Sequence, residues 1–389
     1  MAKVEYNLVR GMKDIDNDIA DRFDFVVKTA KELSNEFNFA YLKTPIVEYA
    51  NLFDRNLGNE SDVVKKELYR FEDKGGDLLA LRPEMTAGVC RYVISNGLFQ
   101  GPFPHKFFSY GEVFRYDRPQ KGRYRQFNQL NFEIFGLKNC AKEIYEYLML
   151  AKRILKNIGV KDVVVKINYL GENEERSAYI KALKEYLQGY KEKLSEDSKR
   201  RLETNILRIL DSKDEGDKEI LKNAPKIEDF LTEEHKKYLH YFVERDNKIQ
   251  IDNNLVRGLD YYTGFVFEII TDKIGETQNA VCGGGEYNRM IEDMSGKQLN
   301  AFGFAFGVER LMELMDVSII PQKAPLYCHL TDKSNFIKNA RNEVCYFDDF
   351  VKGIKWANQI GGDFVIFEKD NKLFIKDMNS GEQMEFANS

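Results

Sequence analysis

Cysteine and histidine are scarce in this chain. Five cysteines (Cys90, Cys140, Cys282, Cys328, Cys345) are scattered without a CxxC spacing, and there are four histidines. A zinc site or a disulfide framework is therefore not expected. No run approaches the ~18 apolar residues that a membrane helix needs, so no membrane partner is expected. The opening residues, MAKVEYNLVRGMKD, hold no apolar signal region, and the expected address is the cytoplasm. The GxxxxGK[ST] and GxGxxG spacings are missing, which argues against P-loop and dinucleotide-binding sites. Positive charge is not in excess either: the formal net charge is −5 and the pI is near 5.7. A nucleic-acid partner would have to be met by local basic patches.

What is present is an ordinary globular composition, 43% apolar and 31% charged, in 389 residues. That length suits two or three domains. Apolar positions at helical spacing over 18–37 (Ile19, Phe23, Val26, Ala30, Leu33, Phe37) predict an amphipathic helix. Residues 39–47 read as a strand carrying Pro45 at an edge or interface. The stretch 68–81, with Gly75-Gly76 at its centre, reads as a hairpin; 83–94 and 142–158 read as helices, and 163–169 as a strand. From 171 to 247 the texture is charged, helical and poor in strand signals, which reads as an insertion. Strands resume at 249. After Pro325 the pattern is strand (326–330), helix (347–360), strand (363–367) and strand (373–377).

The stretch FRYDRPQKGRYRQFNQLNFE (114–133) is unusual in this acidic chain. Over its eleven residues 115–125, Arg115, Arg118, Lys121, Arg123 and Arg125 accompany one acid, Asp117, and Pro119 and Gly122 interrupt the middle. Apolar alternation on both sides makes it two antiparallel strands joined by a long basic loop. Such cations, with Gln129 and Glu133 on the returning strand, suit a phosphate-bearing ligand beside a small polar one; taken alone, the run equally suits a solvated hairpin tip. Three further segments bear on this. Arg82-Pro83-Glu84-Met85-Thr86 stands at a strand-to-helix junction, where Glu and Thr either face a ligand amine or cap the helix. LVRGLDYYT (255–263) sets Arg257 beside a glycine turn, either as a simple turn or as a guanidinium placed to neutralise a carboxylate or phosphate. CGGGEY (282–287) and GFAFGVERL (303–311) combine glycine-spaced strands with Arg310 at a helix start, where a flat ligand can lie on backbone.

Together and in this order, these segments resemble the signature motifs of class II aminoacyl-tRNA synthetases, and RGLDYY resembles that of the histidyl-tRNA synthetase family in particular. The helix and Pro45 stretch are similar to motif 1, FRYDRPQKGRYRQFNQLNFE to motif 2 and GFAFGVERL to motif 3. SKRR (198–201) through Asn205 and RILDSK (208–213) are similar to the family's insertion. The resemblance implies an α/β (α+β) fold: a mainly antiparallel sheet flanked by helices in a catalytic domain over 1–325, with a helical insertion at about 171–247. It also implies a reduced α/β module over 326–389, similar to the family's anticodon-binding unit but shorter by one strand–helix repeat. The implied activity is ATP-dependent activation of L-histidine, with Mg2+ on the phosphates, followed by transfer to histidine tRNA, in a homodimer. By position, Arg115 meets the α-phosphate, Arg310 the adenine and γ-phosphate, and Arg123 the nucleotide. Arg257 is the electrophile at the α-phosphate. Glu84 and Thr86 surround the histidine amine, Gln129 and Arg257 lie near its carboxylate, and Glu133 and Tyr262 grip its imidazole with Tyr261 alongside. Met85 and Arg115 are further histidine-binding positions, and Glu84 is also an ATP-binding one. Arg118 and Gln120 reach the tRNA acceptor end, and no protein metal ligand is implied.

Two positions depart from the family pattern. Asn128 replaces a usual histidine, and Glu286 a usual arginine, which puts a charge of the wrong sign near the expected pocket. A non-catalytic reading also has to be weighed: the histidine-sensing regulatory subunit of ATP phosphoribosyltransferase shares this fold. The intact motif 2, Arg257 and Arg310 favour the ligase; the shortened tail favours the regulator.

Overall fold

The computed structural model describes residues 6–56, 63–120, 122–138, 140–274, 279–345, 347 and 349–386. Lys121 lies outside them. The chain divides into two compact units, Met1–Ile320 and Pro321–Ser389.

The first unit opens with α1 (Asn17–Glu36), β1 (Ala40–Tyr41), β2 (Val47–Tyr49) and α2 (Ala50–Asn56). The expected strand over 39–47 is thus mostly not a strand. Pro45 offers no N–H to a ladder, and the neighbouring carbonyls of Thr44 and Ile46 accept from the Arg82 side chain and backbone at 3.0 and 2.9 Å. The hairpin strands β3 (Arg70–Glu72) and β4 (Leu78–Leu81) lead to α3 (Thr86–Ser95). Next come the long strands β5 (His105–Phe114) and β6 (Gln126–Phe135), then α4 (Cys140–Asn157) and β7 (Val163–Tyr169). Helices α5 (Asn173–Gln188), α6 (Glu196–Thr204), α7 (Glu215–Leu221) and α8 (Glu233–Val243) make up the charged insertion. The unit closes with β8 (Ile249–Ile251), β9 (Phe265–Thr271), β10 (Ala280–Glu286), α9 (Asn288–Ser295), β11 (Ala301–Gly307) and α10 (Val308–Leu314).

Its main sheet has the order β1-β5-β6-β11-β10-β9-β7-β8. The pairs β1/β5 and β7/β8 are parallel, and the others antiparallel. Period-two alternation decides which face is filled. In β11 (AFGFAFG), Phe302, Phe304 and Phe306 are buried on one face, and Phe304 stacks on Phe132 of β6 at 4.7 Å. Val26, Ala30 and Leu33 of α1 and Leu148, Ala151 and Ile154 of α4 join the same core. Each large side chain removed from water there contributes about 1.5–3 kcal/mol. The opposite face of β11 holds only glycine and alanine: Ala301, Gly303, Ala305 and Gly307. That bare strip is what the sheet offers to a ligand.

The second unit is a five-stranded sheet with one helix: β12 (Leu326–His329), β13 (Arg341–Val344), α11 (Phe350–Gln359), β14 (Phe364–Lys369), β15 (Lys372–Asp377) and β16 (Gln383–Glu385), in the order β13-β12-β14-β15-β16. Leu326, Cys328, Ala357, Val365 and Phe367 form its own small core. The sequence reading missed β13 and β16, whose RNEV and QME carry almost no apolar alternation. Among the described residues, no helix is long and apolar enough to cross a membrane.

Candidate functional site

A cleft of about 800 Å³ opens over the bare face of β11 and its neighbours β6 and β10. Registers explain its floor. Gln129, Asn131 and Glu133 of β6 stand opposite Gly307, Ala305 and Gly303 of β11, and Gly283 of β10 pairs with Ala305 from the other side. Of the residues predicted from sequence, Glu84, Thr86, Arg115, Arg123, Gln129, Arg257, Tyr261, Tyr262 and Arg310 all line this cleft. Met85, Glu133, Arg118 and Gln120 are not among its lining residues.

Glu133 lies just beneath the surface, 1% exposed. Its carboxylate accepts from Thr86 Oγ1 at 2.5 Å and from Asn131 Nδ2 at 3.0 Å, and the Tyr287 hydroxyl also donates to it. Burial pushes its pKa up to about 8, against the pull of those three donors. Tyr287, which sequence reasoning missed, is fully buried, and its ring lies 5.7 Å from that of Tyr261. Its only signal was its place directly after CGGGE. The Tyr261 and Tyr262 rings lie 4.5 Å apart. At the same N-terminal end of α3, the Glu84 oxygens accept from the backbone N–H groups of Thr86 and Ala87 at 2.6 and 2.9 Å. The capping reading of this residue is therefore realised, although Glu84 also lines the cleft. Met85 is buried, 1% exposed.

The cations are arranged around the floor. Arg257 pairs with Glu268 of β9, a residue not singled out from sequence, although it is the one charge in FVFEIIT. Its guanidinium lies flat on Gly283, where an added Cβ would meet Nη2 at 2.4 Å. Its Nε is buried and has no hydrogen-bond partner among the described residues. Arg115 donates from Nε to the Pro83 carbonyl at 2.9 Å and sits 5.4 Å from the Phe127 ring. Arg310 donates to the carbonyls of Ala280 (2.6 Å) and Gly122 (3.4 Å). Its pKa is lowered first by burial and then by the charges of Arg123 and Arg115. Arg310 with two further cations beside it makes a site suited to a polyanion. Arg123 pairs with Asp117 at 3.0 Å. Arg118 and Gln120 stand on the basic loop, where Gln120 and Arg123 exchange backbone hydrogen bonds at 2.9 and 3.3 Å.

The two departures resolve differently. Asn128 donates from its backbone N–H and side chain to the Glu309 carboxylate at 2.9–3.0 Å, and Glu309 lines the cleft. Glu286 is not a lining residue, so its charge is not set in the cleft as the sequence suggested. It accepts from the Phe265 N–H at 2.8 Å and from the Tyr238 hydroxyl at 3.4 Å, and burial raises its pKa to about 7. The insertion, whose part in the site was not foreseen, supplies one wall through Ser195, Arg201, Arg208, Asp211 and Lys213. Among the described residues no group of three or more His, Cys, Asp or Glu could hold a metal ion.

The family model "Histidyl-tRNA synthetase" matches residues 11–311. The histidine–tRNA ligase of Wolbachia pipientis subsp. Culex pipiens is 40% identical over 402 residues, 97% of this chain and 97% of the relative. That of Malacoplasma penetrans is 45% identical, over 78% of this chain and 72% of the relative. The apo Staphylococcus aureus histidyl-tRNA synthetase structure superposes with a TM-score of 0.77 at 29% identity, covering 98% of this chain and 97% of that one.

Proposed function

The chain belongs to the histidyl-tRNA synthetase family and is a histidine–tRNA ligase, and we propose that the cleft on β6, β10 and β11 joins L-histidine to ATP and then passes the histidyl group to histidine tRNA. The observation that carries this is one floor bearing Arg115, Arg257 and Arg310 above the buried Glu133.

A histidine carboxylate oxygen attacks the α-phosphorus of ATP; the new O–P bond replaces the bond to pyrophosphate, which leaves. No covalent step falls to the protein, whose work is positioning and charge stabilisation. Arg257, held by its pair with Glu268, meets the charge growing on the α-phosphate. Arg115 shares that phosphate and the substrate carboxylate. Arg310 packs on adenine and reaches the γ-phosphate, and Arg123 lends charge at the same end. Magnesium on the nucleotide's phosphates would supply further charge neutralisation there; among the described residues no group of three or more His, Cys, Asp or Glu would hold it. Glu84 and Thr86 hold the α-ammonium, with Met85 packing behind them, and Gln129 faces the carboxylate. Glu133 and Tyr262 take the two imidazole nitrogens, with Tyr261 alongside. A competitor without those nitrogens forgoes the hydrogen bonds to Glu133 and Tyr262, which costs about 1–3 kcal/mol.

Arg118 and Gln120 approach the acceptor end of the tRNA. The unit over 326–389 serves as a reduced anticodon-binding-like module, and the stretch 1–325 as the catalytic domain. Two copies pair through the motif 1 region, a reading supported by the exposure of Tyr41, Val47 and Tyr49, and the enzyme works in the cytoplasm. ATP–pyrophosphate exchange is the test: label should enter ATP only when histidine is present. Histidine binding without exchange would favour the regulatory-subunit reading instead.

A further inference from the structure

One short segment of the insertion touches the loop that carries Arg257. The 3-10 turn Ile206–Ile209 places Arg208 so that its Nη1 donates to the backbone carbonyl of Arg257 at 3.0 Å. Immediately before it, Asn205 donates from Nδ2 to Asp260 Oδ1 at 2.9 Å. Both contacts fall on the loop from which the Arg257 guanidinium projects. Gly258 permits the approach: a Cβ there would stand 3.3 Å from Arg208 Nη1.

The segment that makes these contacts is itself firmly held. Ile209 and Leu207 are buried in the core, and Arg201 Nη1 donates to the Arg208 carbonyl at 3.1 Å. Behind the turn, Asp217 is completely buried and accepts from the hydroxyls of Ser195, Ser198 and Ser212 at 2.7, 2.6 and 2.6 Å, and from Ser195 N–H at 2.9 Å. A buried carboxylate is costly unless its lone pairs are filled; here they are, and the hub ties α6, α7 and the chain between them into one body. The insertion is therefore stiff where it touches the loop.

We propose that Arg208 and Asn205 are positioning residues for Arg257. The insertion fixes the root of that side chain while Glu268 and Gly283 fix its tip, so adenylate formation requires the insertion even when no tRNA is present. A guanidinium on a long side chain needs both ends fixed, because misplacement by about 1 Å costs on the order of 10²-fold in rate. The inference rests on the role given to Arg257 above.

The test is ATP–pyrophosphate exchange without tRNA, with rates normalised by active-site titration so that misfolded protein does not count. Arg208→Ala should lower kcat about tenfold or more while KM for histidine and for ATP stays within about twofold. Arg208→Lys, which keeps one donor, should recover most of the loss, and Asn205→Ala should show a smaller fall of the same kind. The double variant Arg208→Ala/Arg257→Ala should be no slower than Arg257→Ala alone, because a residue that acts through Arg257 has nothing left to position. Unchanged kcat in Arg208→Ala, or losses that multiply in the double variant, would overturn the positioning role while leaving that of Arg257 intact. Full exchange by Arg257→Ala would overturn both. If Arg208→Ala does not fold, Asn205→Ala decides: a normal kcat there sinks the proposal.

Discussion

Glu133 and Gly303 face each other across the β6–β11 ladder, and a methyl group on Gly303 would stand 1.7 Å from the Glu133 carboxylate. The glycine is therefore the space in which the acid lies. Gly303→Ala should displace Glu133 and raise the KM for histidine at least tenfold, with little change in the KM for ATP. The overpacking itself should cost about 1–3 kcal/mol of stability. Steady-state exchange kinetics and thermal unfolding check this; an unaltered histidine KM would mean that Glu133 does not read the substrate.

Gly283 does the same for Arg257, whose guanidinium lies on it. Arg257→Ala should slow adenylate formation by on the order of 10²–10³-fold. Gly283→Ala should reproduce about a tenth of that loss by lifting the guanidinium while leaving its charge in place. Single-turnover adenylate formation is the measurement. A normal rate in Gly283→Ala would show that the guanidinium need not lie there.

Glu133 also predicts a pH dependence. Its folded pKa, raised by burial to about 8, exceeds the ordinary value of 4.5. Between those values the folded chain holds a proton that the unfolded chain has released, so stability falls as pH rises from about 5 to 8 and levels off beyond. Glu286, raised to about 7, adds to the same trend. Glu133→Gln removes the first contribution, so the Tm of the wild type minus that of the variant should decline across this window. A flat difference would contradict the assignment. The same variant should weaken histidine binding by about 1–3 kcal/mol and spare ATP.

Gln120 stands on the basic loop, and Gln120→Ala should impair transfer to tRNA while sparing pyrophosphate exchange. With a reduced second unit, the enzyme should charge a minihelix carrying only the acceptor stem nearly as well as full tRNA. If anticodon substitutions alone abolish charging, the small unit reads the anticodon and the acceptor-end reading fails.

Much of this was legible in the chain, and the reasons differ from place to place. The strand Val163–Tyr169 and the long hairpin strands could be read because period-two alternation and a proline–glycine break are local signals. The cleft's arginines could be assigned because the family resemblance fixed their order. Residues 39–47 misled because their carbonyls are taken by Arg82, a partner 38 residues away from Thr44. Tyr287 and Glu268 were missed because each acts on a residue that only the folded sheet brings near. Arg208 is 49 residues from Arg257, and no spacing rule connects an insertion helix to a catalytic loop.

Strand β11 buries Phe302, Phe304 and Phe306 on one face and offers backbone on the other. An inhibitor seated on that strip would touch main chain rather than side chains. Point mutation could then weaken its grip only by adding bulk, and at Gly303 that bulk evicts Glu133. Resistance arising at Gly303 would carry a penalty in histidine use, whereas an added Cβ at Gly307 meets no neighbour and would carry none.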